Sequence, residues 1–151
     1  MSVTRENLAL LAQFRRGRIN PPRWVLDNGR DFEFSPLPKG VRLCKQGQCY
    51  YNAMRLVWKD EDRYVYVEGF ATATGSSLTT LYAWCYDRQT GRIIDKTWKN
   101  GGDYVGVPIR MKYAREFMLK YGYHGSMIDD WSGGYPLITG AIPREVWEEH
   151  L

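Results

Sequence analysis

The chain has 151 residues and a mass of 17.6 kDa, and 44% of its residues are hydrophobic. This is enough for one domain with its own buried core, and it leaves little room for a second domain. No apolar run reaches the roughly 20 residues of a membrane helix, and residues 1–18 lack the order of a secretory signal. We therefore expect a single domain over residues 1–151, in the cytoplasm and away from membranes.

The cysteines and histidines restrict the redox and metal chemistry of the chain. Three cysteines, Cys44, Cys49 and Cys85, form no CxxC pair, which is typical of reduced thiols rather than of a disulfide framework. The two histidines, His124 and His150, do not combine with them in a zinc-ligand spacing. We therefore predict no metal site and no cofactor.

Residues 1–40 are predicted to form an N-terminal helix followed by a surface wrap. Residues 4–16 have apolar side chains at helical spacing, with Thr4 as the candidate N-cap and Gly17 as the end. Residues 17–40 are rich in proline and lack periodicity, so we expect an ordered wrap anchored by aromatic side chains. A flexible arm is the alternative.

Residues 41–121 are predicted to form the core. Runs of β-branched and aromatic residues indicate strands, and apolar residues three and four apart indicate helices. The predicted elements are a helix at 49–58, strands at 63–73, 78–87, 92–98 and 104–109, and a helix at 111–121. Short turns between the strands favour an antiparallel meander with helices beside it, which is the α+β arrangement. The C-terminal part, 122–151, is predicted to be loop with a short helix after Pro143.

Three segments contain the residues that carry chemistry, at 46–53, 81–87 and 93–98. Cys49 is predicted at the start of a helix, where backbone NH groups and the positive end of the helix dipole stabilise a thiolate. A reactive thiolate also needs a base on a neighbouring strand, and that base needs an acidic or amide group to orient it. Asp95 lies on the next predicted strand and is suited to the last role.

These segments resemble the papain-like and transglutaminase-like cysteine enzymes. They are more closely similar to a group of small, uncharacterised phage and bacterial proteins in which CxxNA, EG, HAW and DxTW follow one another. The matching residues are Cys49 to Ala53, Glu68 with Gly69, Tyr82 to Trp84, and Asp95 to Trp98. The resemblance covers about residues 44 to 109, and it implies a sheet with a Cys-bearing helix packed on it.

The resemblance places a histidine where this chain has Tyr82. A phenol with a pKa of about 10 is protonated at neutral pH and has no basic nitrogen to accept the proton of a thiol. Three interpretations stay open: a degenerate enzyme that serves as a binding or inhibitory module, a catalytic pair completed by His124, or a reduced activity that uses the helix dipole alone. Cys49 also fits the role of a small buried core residue, and Asp95 fits that of a turn cap.

Other side chains near these positions are candidates for supporting roles. Gln46 and Gln48 precede the cysteine, as the oxyanion-binding glutamine does in papain-like enzymes, although exposed loop positions explain them equally well. Asn52, one helical turn after Cys49, is predicted as a hydrogen-bond donor on the helix surface.

The remaining candidates are expected to line a cleft next to the cysteine. These are Glu68, Trp84, Trp98 and His124. Because burial of an unpaired carboxylate is costly, Glu68 is expected either to face the cleft or to meet an arginine. Trp84 and Trp98 fit either cleft walls or the core.

The sequence therefore predicts a degenerate cysteine hydrolase or transglutaminase-like protein of phage or bacterial type, with an unknown protein partner. The alternative is a weakly active acyl-transfer enzyme, an amidase, peptidase or thioester-directed hydrolase that uses Cys49. A second alternative is a nucleic-acid-associated protein, because a basic cluster contacts phosphates in such proteins. The net charge of +4 is small, and a solvated helix end explains the cluster as well. The cluster is Arg15, Arg16, Arg18 and Arg23.

Overall fold

The computed structural model describes residues 2–122, 125–141, 147 and 151, and within these ranges the chain has the predicted α+β fold. The short helix predicted after Pro143 begins outside the described residues. The described elements are α1 (Val3–Phe14), α2 (Pro21–Asn28), β1 (Arg30–Glu33), α3 (Cys49–Lys59), β2 (Tyr64–Ala73), β3 (Thr79–Asp87), β4 (Arg92–Ile94), β5 (Gly101–Ile109), α4 (Met111–Tyr121) and α5 (Pro136–Thr139). None of the helices in the described ranges is long and apolar enough to cross a membrane.

The N-cap of the first helix lies two residues before the predicted one. The hydroxyl of Ser2 accepts a hydrogen bond from the backbone NH of Arg5 at 3.1 Å, so Ser2 and not Thr4 is the N-cap. Thr4 is buried, and its hydroxyl bonds Thr72 of β2 at 2.7 Å. Thr4 therefore fastens α1 to the sheet instead of capping the helix.

The proline-rich stretch over residues 17–40 contains two elements that the surface-wrap prediction missed. Asn20 accepts a hydrogen bond from the NH of Arg23 at 3.1 Å, and Pro21 and Pro22 occupy the first turn of α2. Proline is compatible with this position because the first helical NH groups have no partner within the helix. The prolines therefore start a helix, and β1 follows it.

The sheet has five strands in the order β1-β5-β2-β3-β4, and every pair of neighbours is antiparallel. β2 is the central strand, in agreement with its continuous run of β-branched and aromatic residues. The predicted meander is wrong for β5, which crosses over and inserts between β1 and β2. The edge strands β1 and β4 also contact each other, so the sheet curls towards a closed barrel.

The two faces of the curled sheet have different contents. The inner face holds aromatic rings, with Trp84 lying 5.7 Å from Phe32 and 5.0 Å from Tyr104 between ring centroids. A Cβ at Gly106 would lie 2.6 Å from the Trp84 ring, so only glycine leaves room for that ring. The outer face is covered by helices, among them α3, where the Cys85 thiol donates to the carbonyl of Ala53 at 3.1 Å.

Candidate functional site around Asp95 and Cys49

The carboxylate of Asp95 is the centre of the site and is fully buried. Oδ1 accepts the hydroxyl of Tyr82 at 2.7 Å and the backbone NH groups of Thr97 and Trp98, each at 2.9 Å. Oδ2 accepts the hydroxyl of Tyr104 at 2.7 Å. Four donors therefore converge on one carboxylate, which satisfies the hydrogen-bonding needs of a buried charge.

This arrangement explains why β4 is only three residues long. The strand predicted over 92–98 stops at Ile94, because Asp95 turns the chain by binding the NH groups two and three residues ahead of it. The turn brings Trp98 back over Tyr82, with ring centroids 3.9 Å apart and planes inclined by 23°. Asp95 therefore caps a turn, as one interpretation predicts, and it also contacts Tyr82.

Burial keeps both phenols protonated. It raises the pKa of Tyr82 well above the usual range for tyrosine, and the neighbouring charge of Asp95 raises it further. The pKa of Tyr104 rises for the same two reasons. Burial also raises the pKa of Asp95, against the four donors that favour its charged form. Tyr82 and Tyr104 therefore act as hydrogen-bond donors and not as bases.

Cys49 is the first residue of α3, as the sequence predicts, and its side chain is buried. Burial raises the pKa of its thiol to about 12, and the negative charges of Glu68 and Asp95 add to the increase. Backbone NH groups of Ala83 and Tyr50 act in the opposite direction but do not outweigh the burial. The described residues 2–122 provide no hydrogen bond from the thiol to Tyr82 or Asp95.

Two of the predicted supporting residues hold the chain together instead of facing a substrate. The Asn52 amide is buried and donates to the carbonyl of Lys45 at 2.9 Å and to the Thr97 hydroxyl at 2.8 Å. The Gln46 amide donates to the Thr97 carbonyl. Their donors are thus committed to the 95–98 turn, which corrects the predicted oxyanion role of Gln46 and the surface role of Asn52.

Gln48 remains the one predicted oxyanion donor whose amide forms no hydrogen bond in the described part of the chain. It is the N-cap residue of α3, and its side chain forms no capping hydrogen bond. Its role stays a prediction.

Glu68 neither faces a cleft nor meets an arginine. It is completely buried, and it accepts the Ser126 hydroxyl at 2.8 Å and the Met127 NH at 3.0 and 3.1 Å. Burial raises the pKa of its carboxyl to about 7, although these donors oppose the change. Glu68 therefore anchors the segment after α4 to β2, and the expectation of a cleft position was wrong.

The predicted cleft residues differ in their positions. Trp84 is completely buried among the rings of the inner face, so it belongs to the core and not to a cleft wall. Trp98 is half-buried and covers Tyr82. His124 lies outside the described residues.

Tyr104 and Ser126 are the site residues that the sequence did not reveal. Tyr104 stands at the start of a predicted strand, but its contact with Asp95 depends on how β5 inserts in the sheet. Ser126 lies in a predicted loop beside no motif. No local pattern marks either residue, since both contacts join remote parts of the chain.

Within the described ranges, no three His, Cys, Asp or Glu side chains come together as metal ligands. The site is thus an aromatic and carboxylate cluster on the inner face of the sheet. Cys49 begins α3, which packs on the outer face against Cys85.

Comparisons of the chain with protein-family models, with curated proteins and with solved structures gave no significant match. The class of protein is therefore defined by its architecture. It is an α+β domain with a curled, five-stranded antiparallel sheet and a helix that begins with a cysteine.

Proposed function

We propose that this protein is a papain-like or transglutaminase-like domain that has lost its catalytic base and acts by binding another protein. The observation that carries the proposal is the hydrogen bond of 2.7 Å between Tyr82 and Asp95. In a cysteine enzyme of this type a histidine bonds the orienting acid, and here a phenol occupies that bond. The acid keeps its orienting geometry, while the group it orients is unable to accept a proton.

The state of the thiol supports the same conclusion. A pKa raised to about 12 leaves the Cys49 thiol protonated at pH 7. A cysteine that serves as a nucleophile is found in the opposite environment, partly exposed and with a lowered pKa. Cys49 is thus suited to packing and not to attack on a carbonyl.

A groove beside α4 provides a surface for a partner. It has a volume of about 460 Å³ and is lined by Tyr113, Phe117, Tyr121 and Met127, with Lys120 and Asp130 among its polar residues. The rings of Phe117 and Tyr121 lie 4.8 Å apart. Aromatic side chains and methionine are enriched at protein interfaces, and aromatic rings give a large contact area for little loss of side-chain entropy.

Substitution of Tyr82 by histidine tests the enzyme-derived part of the proposal. In a Cys44→Ser background, Tyr82→His should lower the pKa of the Cys49 thiol, because an imidazolium held by Asp95 favours the thiolate. Tyr82→Phe is the matched control, since it removes the hydroxyl without adding a base. The pKa is read from thiolate ultraviolet absorbance. Equal values in the two variants would show that residue 82 does not occupy the position of the catalytic base.

Peptide selection tests the binding part. A random peptide display library is panned on the full chain, and the binders are measured on Phe117→Ala and on Cys49→Ser. The proposal expects the first substitution to weaken the selected peptides and the second to leave their affinity unchanged. Binders that depend on Cys49 and not on Phe117 would contradict it.

One observation favours a second candidate, a weakly active acyl-transfer enzyme. Cys49 is at the tip of α3, and the NH groups of Tyr50 and Ala83 favour its thiolate. Such an enzyme would hydrolyse an activated thioester in a manner that Cys49→Ser abolishes. Equal hydrolysis by the parent and by Cys49→Ser would eliminate this candidate.

A further inference from the structure

The outer face of α1 carries an apolar stripe that no part of the described chain covers. Leu8 and Ala12 on the opposite face are buried, whereas the exposed fractions of Leu10 and Phe14 are 53% and 77%. Val3, also exposed, completes the stripe on the first turn. A water-exposed phenylalanine in line with two aliphatic residues is unfavourable for an isolated helix face and typical of an interface.

The hairpin that joins β2 and β3 widens this stripe. The amide of Asn7 donates to the Ser77 carbonyl at 3.2 Å and to the Thr79 hydroxyl at 2.8 Å. Leu78, between these two contacts, is 75% exposed. Leu11, one turn after Asn7, is also exposed, so the apolar surface extends from the helix onto the hairpin.

The spacing of the stripe is that of a helix pair. Val3, Asn7, Leu10 and Phe14 follow one another at intervals of four, three and four residues, which is the spacing of the contact seam between two packed helices. We propose that α1 packs antiparallel against α1 of a second copy of this chain. In that arrangement Val3 faces Phe14 of the second copy, and Asn7 faces Leu10, so each apolar end covers the other.

The charges of α1 favour the antiparallel direction. Glu6 lies on the first turn, while Arg15 and Arg16 follow the last turn, and all three are exposed. None of them forms an ion pair within the part of the chain that the structure describes. Antiparallel packing brings each Glu6 to the end where the other copy has its arginines, whereas parallel packing would place like charges together. In the antiparallel arrangement the positive end of each helix dipole also lies next to the negative end of the other, which is favourable.

The same charges argue against a lipid surface as the occupant. An anionic membrane attracts a helix whose polar border is basic throughout. Glu6 is one turn before Leu10 on the exposed side, so it would be repelled by such a surface. A second copy of the chain accommodates both signs of charge.

Sedimentation over a range of protein concentrations tests the self-association. The parent should dimerise with increasing concentration, and Phe14→Asp or Leu10→Asp should weaken the dimer about tenfold or more, because each buries a charge against an apolar partner. Leu119→Asp is the matched control, since Leu119 is 72% exposed on a different helix, α4. A parent that stays monomeric at all concentrations, or a dimer that Leu119→Asp weakens equally, would overturn the proposal.

A charge exchange tests the direction of packing. Glu6→Lys and Arg15→Glu should each weaken the dimer, and the two together should restore it, because the exchange preserves the complementary pair. A combined variant no stronger than the single ones would overturn the antiparallel arrangement. The alternative outcome is a parent that is monomeric in solution and binds phosphatidylserine vesicles in a manner that Phe14→Asp abolishes. That result would overturn the proposal and assign the apolar stripe to a lipid surface. These outcomes are independent of Cys49 and so of the proposed function.

Discussion

Replacement of Tyr82 by phenylalanine removes one hydroxyl and keeps the ring that stacks on Trp98 at 3.9 Å. The carboxylate of Asp95 then loses one of its four donors, the one at 2.7 Å. A hydrogen bond to a charged group contributes about 1.5 to 3 kcal/mol, and the ring packing is unchanged. We therefore expect the free energy of unfolding to fall by about 2 kcal/mol.

The corresponding change at Tyr104 gives an internal comparison. Oδ1 of Asp95 keeps two backbone donors without Tyr82, whereas Oδ2 has the Tyr104 hydroxyl alone among the described contacts. Tyr104→Phe should therefore destabilise the protein more than Tyr82→Phe. Both effects should decrease at low pH, because a protonated Asp95 depends less on donors.

Urea denaturation followed by tryptophan fluorescence measures these differences, provided that the slope with denaturant stays constant. Unfolding free energies of the parent and both variants are compared at pH 8 and pH 4. A Tyr82→Phe variant as stable as the parent at pH 8 would refute the reasoning. So would an effect that grows as the pH falls.

Three further substitutions test other parts of the fold. Burial raises the folded pKa of Glu68 from 4.5 to about 7, a difference of about 3 kcal/mol at 1.36 kcal/mol per pKa unit. Because the folded state binds the proton more tightly than the unfolded state, the free energy of unfolding should fall as the pH rises from about 4.5 to about 7. Glu68→Gln should remove this fall from the stability profile measured by urea denaturation. Gly106→Ala places a Cβ 2.6 Å from the ring of Trp84 and should lower the unfolding free energy by about 1 to 3 kcal/mol; an unchanged thermal midpoint would contradict this. Asn52→Ala removes the hydrogen bond that holds the carbonyl of Lys45 and the one that links Asn52 to the Thr97 hydroxyl. Trypsin should therefore cut after Lys45 faster than in the parent, and equal rates of cutting would show that the amide does not hold the loop.

The elements of the core could be predicted because their patterns are local. In α3 the apolar residues Cys49, Ala53 and Val57 recur at helical spacing, and all three are buried. The alternation in β3 likewise places Tyr82 and Trp84 on one face, with ring centroids 6.5 Å apart. Such signals depend only on residues a few positions apart.

The missed features depend on position within an element or on remote pairing. Pro21 and Pro22 indicate a helix break when taken alone, and only the capping contact of Asn20 shows that a helix starts there. The order of the strands, and with it the contact of Tyr104 with Asp95, depends on a crossover that no short pattern encodes.

The candidate site was partly predictable. The turn-cap interpretation of Asp95 is confirmed by its bonds to the NH groups of Thr97 and Trp98. Its contact with Tyr82 is present, while the relation to cysteine enzymes stays a prediction. The burial of Glu68 by the segment after α4 was not predictable, because Ser126 lies far along the chain. Burial of charge is a property of the whole fold, and so is the raised pKa of Cys49.

The rate of alkylation of Cys49 by iodoacetamide as a function of pH tests most directly whether its thiol is protonated and unreactive at neutral pH. The labelled residue is located by peptide mass spectrometry in a Cys44→Ser background, with free cysteine as the reference. The structure predicts a rate well below the reference at neutral pH, without a plateau up to the highest pH at which the protein stays folded. A rate above that of free cysteine at pH 7, with an inflection below the usual thiol pKa, would contradict the account.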